Sequence, residues 1–134
     1  GEQALGNNVE TVIVGAMAAH RALDYIRPNC LLITPGDRDD LVLAAMSTCA
    51  LGDANTPRVA GLLLTGGVRP QKNILSLIRR TNIPVILLQE DSYSVAAAVN
   101  DLKVKIQPTD TEKIHTAPRL VRQYVNVERI VERL

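Results

Sequence analysis

Tryptophan and phenylalanine are absent, and tyrosine occurs only three times in 134 residues. A chain so poor in aromatic rings has no stacking platform for bases. Runs of like charge are absent too: fifteen Lys and Arg stand against fourteen Asp and Glu, for a net charge of +1. Nothing here neutralises a phosphate backbone, so nucleic acid is excluded as a partner. The strongly apolar stretches run to about five to seven residues, too short to span a bilayer, and no membrane association is expected. No secretory leader pattern opens the chain. The two cysteines, Cys30 and Cys49, match no metal or disulfide-exchange spacing. They read as buried, reduced thiols of a cytoplasmic protein.

Catalytic signatures are missing as well. There is no G-x-x-x-x-G-K-[ST] loop, no G-x-G-x-x-G after the first strand, no H-E-x-x-H, no C-x-x-C and no G-x-S-x-G. His20 and His115 fall on helical segments with no metal ligand or nucleophile nearby, and read as surface or interface histidines. The expectation is a domain without catalysis of its own, with no metal and no cofactor.

What is present is aliphatic. Hydrophobic residues make up 46 % of the chain, and a chain of this size buries roughly two thirds of its unfolded surface. The apolar residues fall into a repeated rhythm. Val12-Ile13-Val14-Gly15 is a short β-branched run, followed by a helical stretch from Met17 to Arg27 that Pro28 stops. Cys30 to Thr34 is a second strand, closed by Pro35-Gly36. Asp37 stands at an N-cap position, with Asp39 and Asp40 in the first helical turn behind it. Val42, Ala45, Met46 and Cys49 share one face of that helix, and Gly52 is a stop signal.

Val59 to Leu64 is a third strand, ended by Thr65-Gly66-Gly67. Pro70 suits the first position of the next helix, whose inward face is Ile74, Leu77 and Ile78. Ile83 to Leu88 is a fourth strand. Asp91 or Ser92 caps a helix carrying Val95, Val99 and Leu102. Lys103 to Ile106 alternates and reads as a short edge strand. Thr109 and Glu112 form a capping box, opening a helix that Pro118 interrupts. Val127, Ile130, Val131 and Leu134 then repeat at helical spacing.

Strand–helix alternation with fully apolar strands implies an α/β fold. The expectation is a three-layer, doubly wound sandwich, a mostly parallel sheet of four to five strands with helices on both faces. The reading is of one domain over residues 1–134, with 1–8 a loose lead-in and 126–134 a terminal helix facing a partner or a next domain. The Gly-Glu start and the open terminal stripe suggest a module of a longer chain.

In such folds ligands bind at the carboxyl ends of the strands. Two readings stand at Asp37-Arg38: a helix cap with a surface arginine, or an arginine aimed along the crevice at an anion or a partner's carboxylate. Two stand at Thr65-Gly66-Gly67: a tight turn needing positive φ, or bare amides holding an anion ahead of a helix. Glu90-Asp91 is an acid pair at the fourth strand end, or again a cap.

The ordered set Thr34-Pro35-Gly36-Asp37-Arg38, Leu62-Leu63-Leu64-Thr65-Gly66-Gly67, Pro84 to Leu87, and Glu90-Asp91 with Ser92-Tyr93-Ser94 resembles the DRTGG domain, from about residue 10 to residue 134. Val14-Gly15-Ala16-Met17 fits as well. Members of that family occur in phosphotransacetylase-like proteins, beside a domain similar to dethiobiotin synthetase, and next to CBS domains in some regulated pyrophosphatases. Tyr124-Val125-Asn126 and Glu128-Arg129-Ile130 look most like the phosphotransacetylase group. The resemblance implies a non-catalytic regulatory and oligomerisation module, a homodimer in contact with neighbouring domains. The alternative is a sensor of a nucleotide or other anionic metabolite. In that case Asp37, Arg38, Thr65, Gly66, Gly67 and Glu90 are the candidate ligand-binding residues.

Overall fold

The computed structural model describes residues 8–50 and 59–105, with side chains through residue 102. By its internal contacts the chain divides into two compact units, Gly1–Ser92 and Tyr93–Leu134. The first holds β1 (Thr11–Val14), α1 (Ala19–Tyr25), β2 (Cys30–Pro35), α2 (Asp39–Ala50), β3 (Val59–Thr65), α3 (Lys72–Ile78) and β4 (Val85–Leu87). The helix α4 (Ser92–Lys105) begins at its last residue.

Every strand pair is parallel, and the strands lie in the order β1-β2-β3-β4. The sequence therefore points correctly to an α/β fold with a four-stranded parallel sheet. The winding differs from expectation. Each crossover steps to the next strand in the same direction, so three right-handed crossovers carry α1, α2 and α3 to one face. No reversal of strand order, the mark of a doubly wound sheet, occurs among the described strands.

Side-chain alternation fits this arrangement. Ile13, Leu32, Leu62, Leu64, Val85 and Leu87 meet Ile26, Val42, Ala45, Met46, Ile74, Leu75 and Ile78 in a single core. The opposite face of the sheet is buried too, at Ile33, Leu63 and Thr65. The whole of β3 is buried, which explains its run of small and branched aliphatic residues. A Leu or Ile side chain fully removed from water contributes about 1.5–3 kcal/mol. The core thus needs no aromatic ring to be effective.

Local differences from the sequence reading have local causes. The first helix begins at Ala19, with Ala18 at its N-cap, rather than at Met17. At α2 the cap position belongs to Arg38, whose carbonyl accepts from the Leu41 and Val42 amides, and not to Asp37. Asp39 and Asp40 do occupy the first turn. Pro70 precedes the N-cap Gln71 of α3 instead of opening that helix. Within α3, Ile74 and Ile78 point inward as expected, but Leu75 joins the core and Leu77 is exposed. The fourth strand is shorter than its apolar run. Lys103 to Lys105 continue α4 rather than forming an edge strand. Four alternating residues cannot outweigh the helix-favouring Ala96-Ala97-Ala98 turn that leads into them. Val95 is buried, whereas Leu102 is exposed. The readings at Gly52, Ile106, Thr109, Glu112, His115, Pro118, residues 124–130 and the 127–134 stripe lie outside the described residues.

Candidate functional site

Because all four strands are parallel, their carboxyl ends reach one edge of the sheet. That edge gathers Gly15-Ala16-Met17, Gly36-Asp37-Arg38, Gly66-Gly67 and Gln89-Glu90. The structure thus brings the Asp-Arg and Thr-Gly-Gly segments onto neighbouring strand ends, as expected. A crevice opens in such sheets where the strand order reverses. With the order running straight through, the loops here close against each other instead.

Backbone hydrogen bonds tie each loop to the next. Gly15 donates to the Ile33 carbonyl at 2.7 Å, and Gly36 to Thr65 at 3.2 Å. Gly66 donates to the Glu90 carbonyl and Gly67 to Leu88, both at 2.8 Å. Gly66 and Gly67 adopt φ of 77° and 66°, a conformation glycine reaches without steric cost. The turn reading of Thr65-Gly66-Gly67 thus matches the geometry, and the two amides are spent on the β4 loop rather than left bare. Between the loops that follow β2 and β3 the fit is closer still. A Cβ on Gly36 would overlap the carbonyl oxygen of Val68.

Arg38 is the organising side chain. Its Nε and Nη2 donate to Asp40 Oδ1 and Oδ2, each at 2.9 Å, in a two-pronged ion pair. Nη2 also donates to the Met17 carbonyl at 2.9 Å. That carbonyl is open because α1 starts late, and the first helical bonds go to Ala18 instead. One guanidinium therefore fastens the β1 loop to the first turn of α2. The Asp40 carboxylate holds the guanidinium proton more firmly, and the guanidinium holds the Asp40 carboxyl below the ordinary range. Both side chains are partly exposed, at 31 % and 49 %, so the pair is worth only about 0.2–1 kcal/mol.

Two hydroxyls complete the edge. Thr65 Oγ1 and Ser92 Oγ lie 2.6 Å apart and share a hydrogen bond. Thr34 is fully buried, and its Oγ1 has no hydrogen-bond partner among the described residues. Along the strand-end segments and the helix starts behind them, carboxylates outnumber cations: Asp37, Asp39, Asp40, Glu90 and Asp91 against Arg38, Arg69 and Lys72. Asp37 and Glu90 are exposed. His20 is exposed on α1, and no cluster of metal-ligating side chains occurs among the described residues.

Three pairings at this edge went unread in the sequence: Asp40 with Arg38, the Met17 carbonyl with Arg38, and Ser92 with Thr65. Asp40 carried a signal, since an acid two residues after an arginine is within its reach. The Met17 carbonyl and Ser92 carried none, because their partners lie 21 and 27 residues away.

The fold and these loops define a class: an α/β domain whose strand-end loops are closed on one another by an Asp-Arg and a Thr-Gly-Gly segment. The chain belongs to the DRTGG domain family, whose model matches residues 1–102. It is 35 % identical to a phosphate acetyltransferase of Nitratidesulfovibrio vulgaris, over 100 % of this chain and 19 % of that protein. A phosphate acetyltransferase of Synechocystis sp. is 33 % identical over the same shares. One of Nitrosomonas europaea is 31 % identical, over 93 % of this chain and 18 % of its own length. The chain therefore spans about a fifth of the curated relatives it matches. Among solved structures it resembles the CBS and DRTGG domains of the regulatory region of Clostridium perfringens pyrophosphatase, complexed with the activator diadenosine tetraphosphate. The TM-score is 0.53 at 29 % identity, covering 64 % of this chain and 33 % of that one.

Proposed function

We propose that this chain is a regulatory and oligomerisation domain of a phosphate-acetyltransferase-type protein, a homodimer with no catalysis of its own. One observation carries the reading. The polar groups at the strand ends are consumed in joining loops to each other: Arg38 on Asp40 and Met17, Gly66 and Gly67 on the β4 loop, Thr65 on Ser92. A catalytic edge keeps a nucleophile and a base pointed at substrate; this one holds its own shape. The free thiols Cys30 and Cys49 suit a reducing, cytoplasmic setting. Light scattering on the 134-residue chain at high micromolar concentration tests the dimer: twice the chain mass is expected, and a monomer overturns it.

A second reading, a sensor of an anionic metabolite at the same edge, draws support from the nucleotide named with the pyrophosphatase regulatory region. An anion would have to be met by the Nη1 group of Arg38, against the surrounding carboxylates. A ligand at a hundred times its Kd adds about 2.7 kcal/mol to stability. A thermal-shift screen of nucleotides, acyl-CoAs and pyruvate that moves no transition, or a shift that persists in Arg38→Ala, counts against it.

A further inference from the structure

The two edges of the sheet are built differently. At β4 the strand is three residues long, and Pro84 directly before it turns its carbonyl to the Leu62 amide of β3, so only Val85 and Leu87 present backbone groups outward. At β1 no proline, lysine or bulge interrupts Thr11–Val14, and its register with β2 is regular. Among the described strands β1 pairs on one side only. The Gly15 amide donates to Ile33. By alternation the amides of Thr11 and Ile13 face β2, and those of Val12 and Val14 face outward. The Val14 carbonyl is taken by the Ala16 amide at 2.9 Å. Among the described residues, the groups left open are therefore the N–H and C=O of Val12 and the N–H of Val14.

The helix beside this edge adds side chains. Ala22 and Ile26 are fully buried and mark the inward face of α1. Helical phase then puts Arg21 and Tyr25 together on one flank, with Asp24 on the crest. For a right-handed β1-α1-β2 crossover, that flank is the one turned away from α2, above the free side of β1. Tyr25 is 59 % exposed, and Val9 and Val14 are each 40 % exposed. An aromatic residue, an arginine and exposed valines are unusual to leave on an open strand edge, and Tyr and Arg are enriched where proteins meet.

We infer that β1 and this flank of α1 form a two-fold seam with a second copy of the chain. β1 pairs antiparallel with its counterpart, and the inference rests on the homodimer reading above. With the axis through Val12, each copy's Val12 exchanges both of its open hydrogen bonds with the other's. The charges complement themselves under the same operation. The two α1 helices run antiparallel, so Arg21 of each copy meets Asp24 and the Tyr25 ring of the other, twice over. The pairing also consumes the unguarded edge. A two-fold contact closes at two copies, and β4, three residues long, offers the shorter edge to a further strand.

Sedimentation equilibrium of the 134-residue chain tests the seam, using wild type, Val14→Lys, Arg21→Asp, the swap Arg21→Asp with Asp24→Arg, and Leu77→Lys. Leu77 is 40 % exposed on α3, away from β1. The wild type is expected to be dimeric. Val14→Lys and Arg21→Asp should each weaken dimerisation by about tenfold or more, the swap should regain most of the loss, and Leu77→Lys should change nothing. Circular dichroism confirms that each variant is folded, and the surface charge variants decide the matter if Val14→Lys is not. A wild-type dimer that Arg21→Asp and any folded Val14→Lys leave intact overturns the seam while the homodimer stands. A monomeric wild type overturns both.

Discussion

Gly36→Ala adds one methyl group at the closest approach of two strand-end loops. The added Cβ meets the carbonyl oxygen and carbonyl carbon of Val68, the latter at 2.8 Å. Its obstacle is backbone, so no rotamer change relieves the overlap, and one of the two loops has to shift. Overpacking of this kind costs about 1–3 kcal/mol. The shift also loosens the Gly36 amide to Thr65 carbonyl bond at 3.2 Å, worth about 0.5–1.5 kcal/mol net. The expected loss is about 2–4 kcal/mol, a large part of the 5–15 kcal/mol typical of a domain. Since the chain has no tryptophan, the measurement is urea unfolding followed by far-ultraviolet circular dichroism. With an m-value of about 2 kcal/mol per molar, the midpoint should fall by about 1–2 M. Gly66→Ala supplies the contrast. Among the described residues, its chain neighbours aside, no atom lies within 4 Å of its added Cβ, and the φ of 77° opposes it. That strain costs about 1–2 kcal/mol, and stiffening of the unfolded chain returns about 0.4–1 kcal/mol of it. A Gly36→Ala protein as stable as the wild type, or a Gly66→Ala protein less stable than Gly36→Ala, refutes the close packing of these loops.

Two further outcomes are expected from side chains at the same edge. The Asp40 carboxyl is lowered from its ordinary value of 3.8, first by its hydrogen bond from Arg38. Its stabilisation is therefore fully present above that value and lost as pH falls through the lowered one. Asp40→Asn should cost about 0.2–1 kcal/mol at neutral pH, and its difference from wild type should vanish in acid; a difference unchanged at low pH contradicts the ion pair. Thr34→Val replaces an unpartnered, fully buried hydroxyl with a methyl group of similar shape. It should raise stability by about 1 kcal/mol, seen as a higher thermal midpoint, and a lower midpoint contradicts the assignment of that hydroxyl as unpartnered.

Much of the fold was legible because the signals involved are short-ranged. Pro28 ends the first helical stretch wherever the rest of the chain goes, since a proline cannot continue it. Val59 to Thr65 contains almost nothing that tolerates water, so it had to be a central strand. Gly66-Gly67 was readable as a turn needing positive φ. The face of α3 was read less well: Ile74 and Ile78 face inward, but the stripe they define takes in Leu75 rather than Leu77. The site was legible as a place rather than as an arrangement. Asp37-Arg38 and Thr65-Gly66-Gly67 pointed to the strand ends, but not to which donor would meet which acceptor.

By itself, then, the sequence determined the alternation of aliphatic strands and helices, the parallel sheet they require, and the edge where polar residues gather. Periodicity and turn chemistry act over a few residues, and they leave little choice at that range. Tertiary structure alone decided the straight-through strand order, the placing of three helices on one face, and the use made of the polar groups. Arg38 could have faced an open crevice. It faces the Met17 carbonyl instead, because β1 lies next to β2 and α1 begins late enough to leave that oxygen free. Gly66 and Gly67 could have offered bare amides, but β4 lies alongside β3 and its loop carbonyls take both. These outcomes depend on which strands are neighbours, and that is set by how the whole chain packs rather than by any stretch within it.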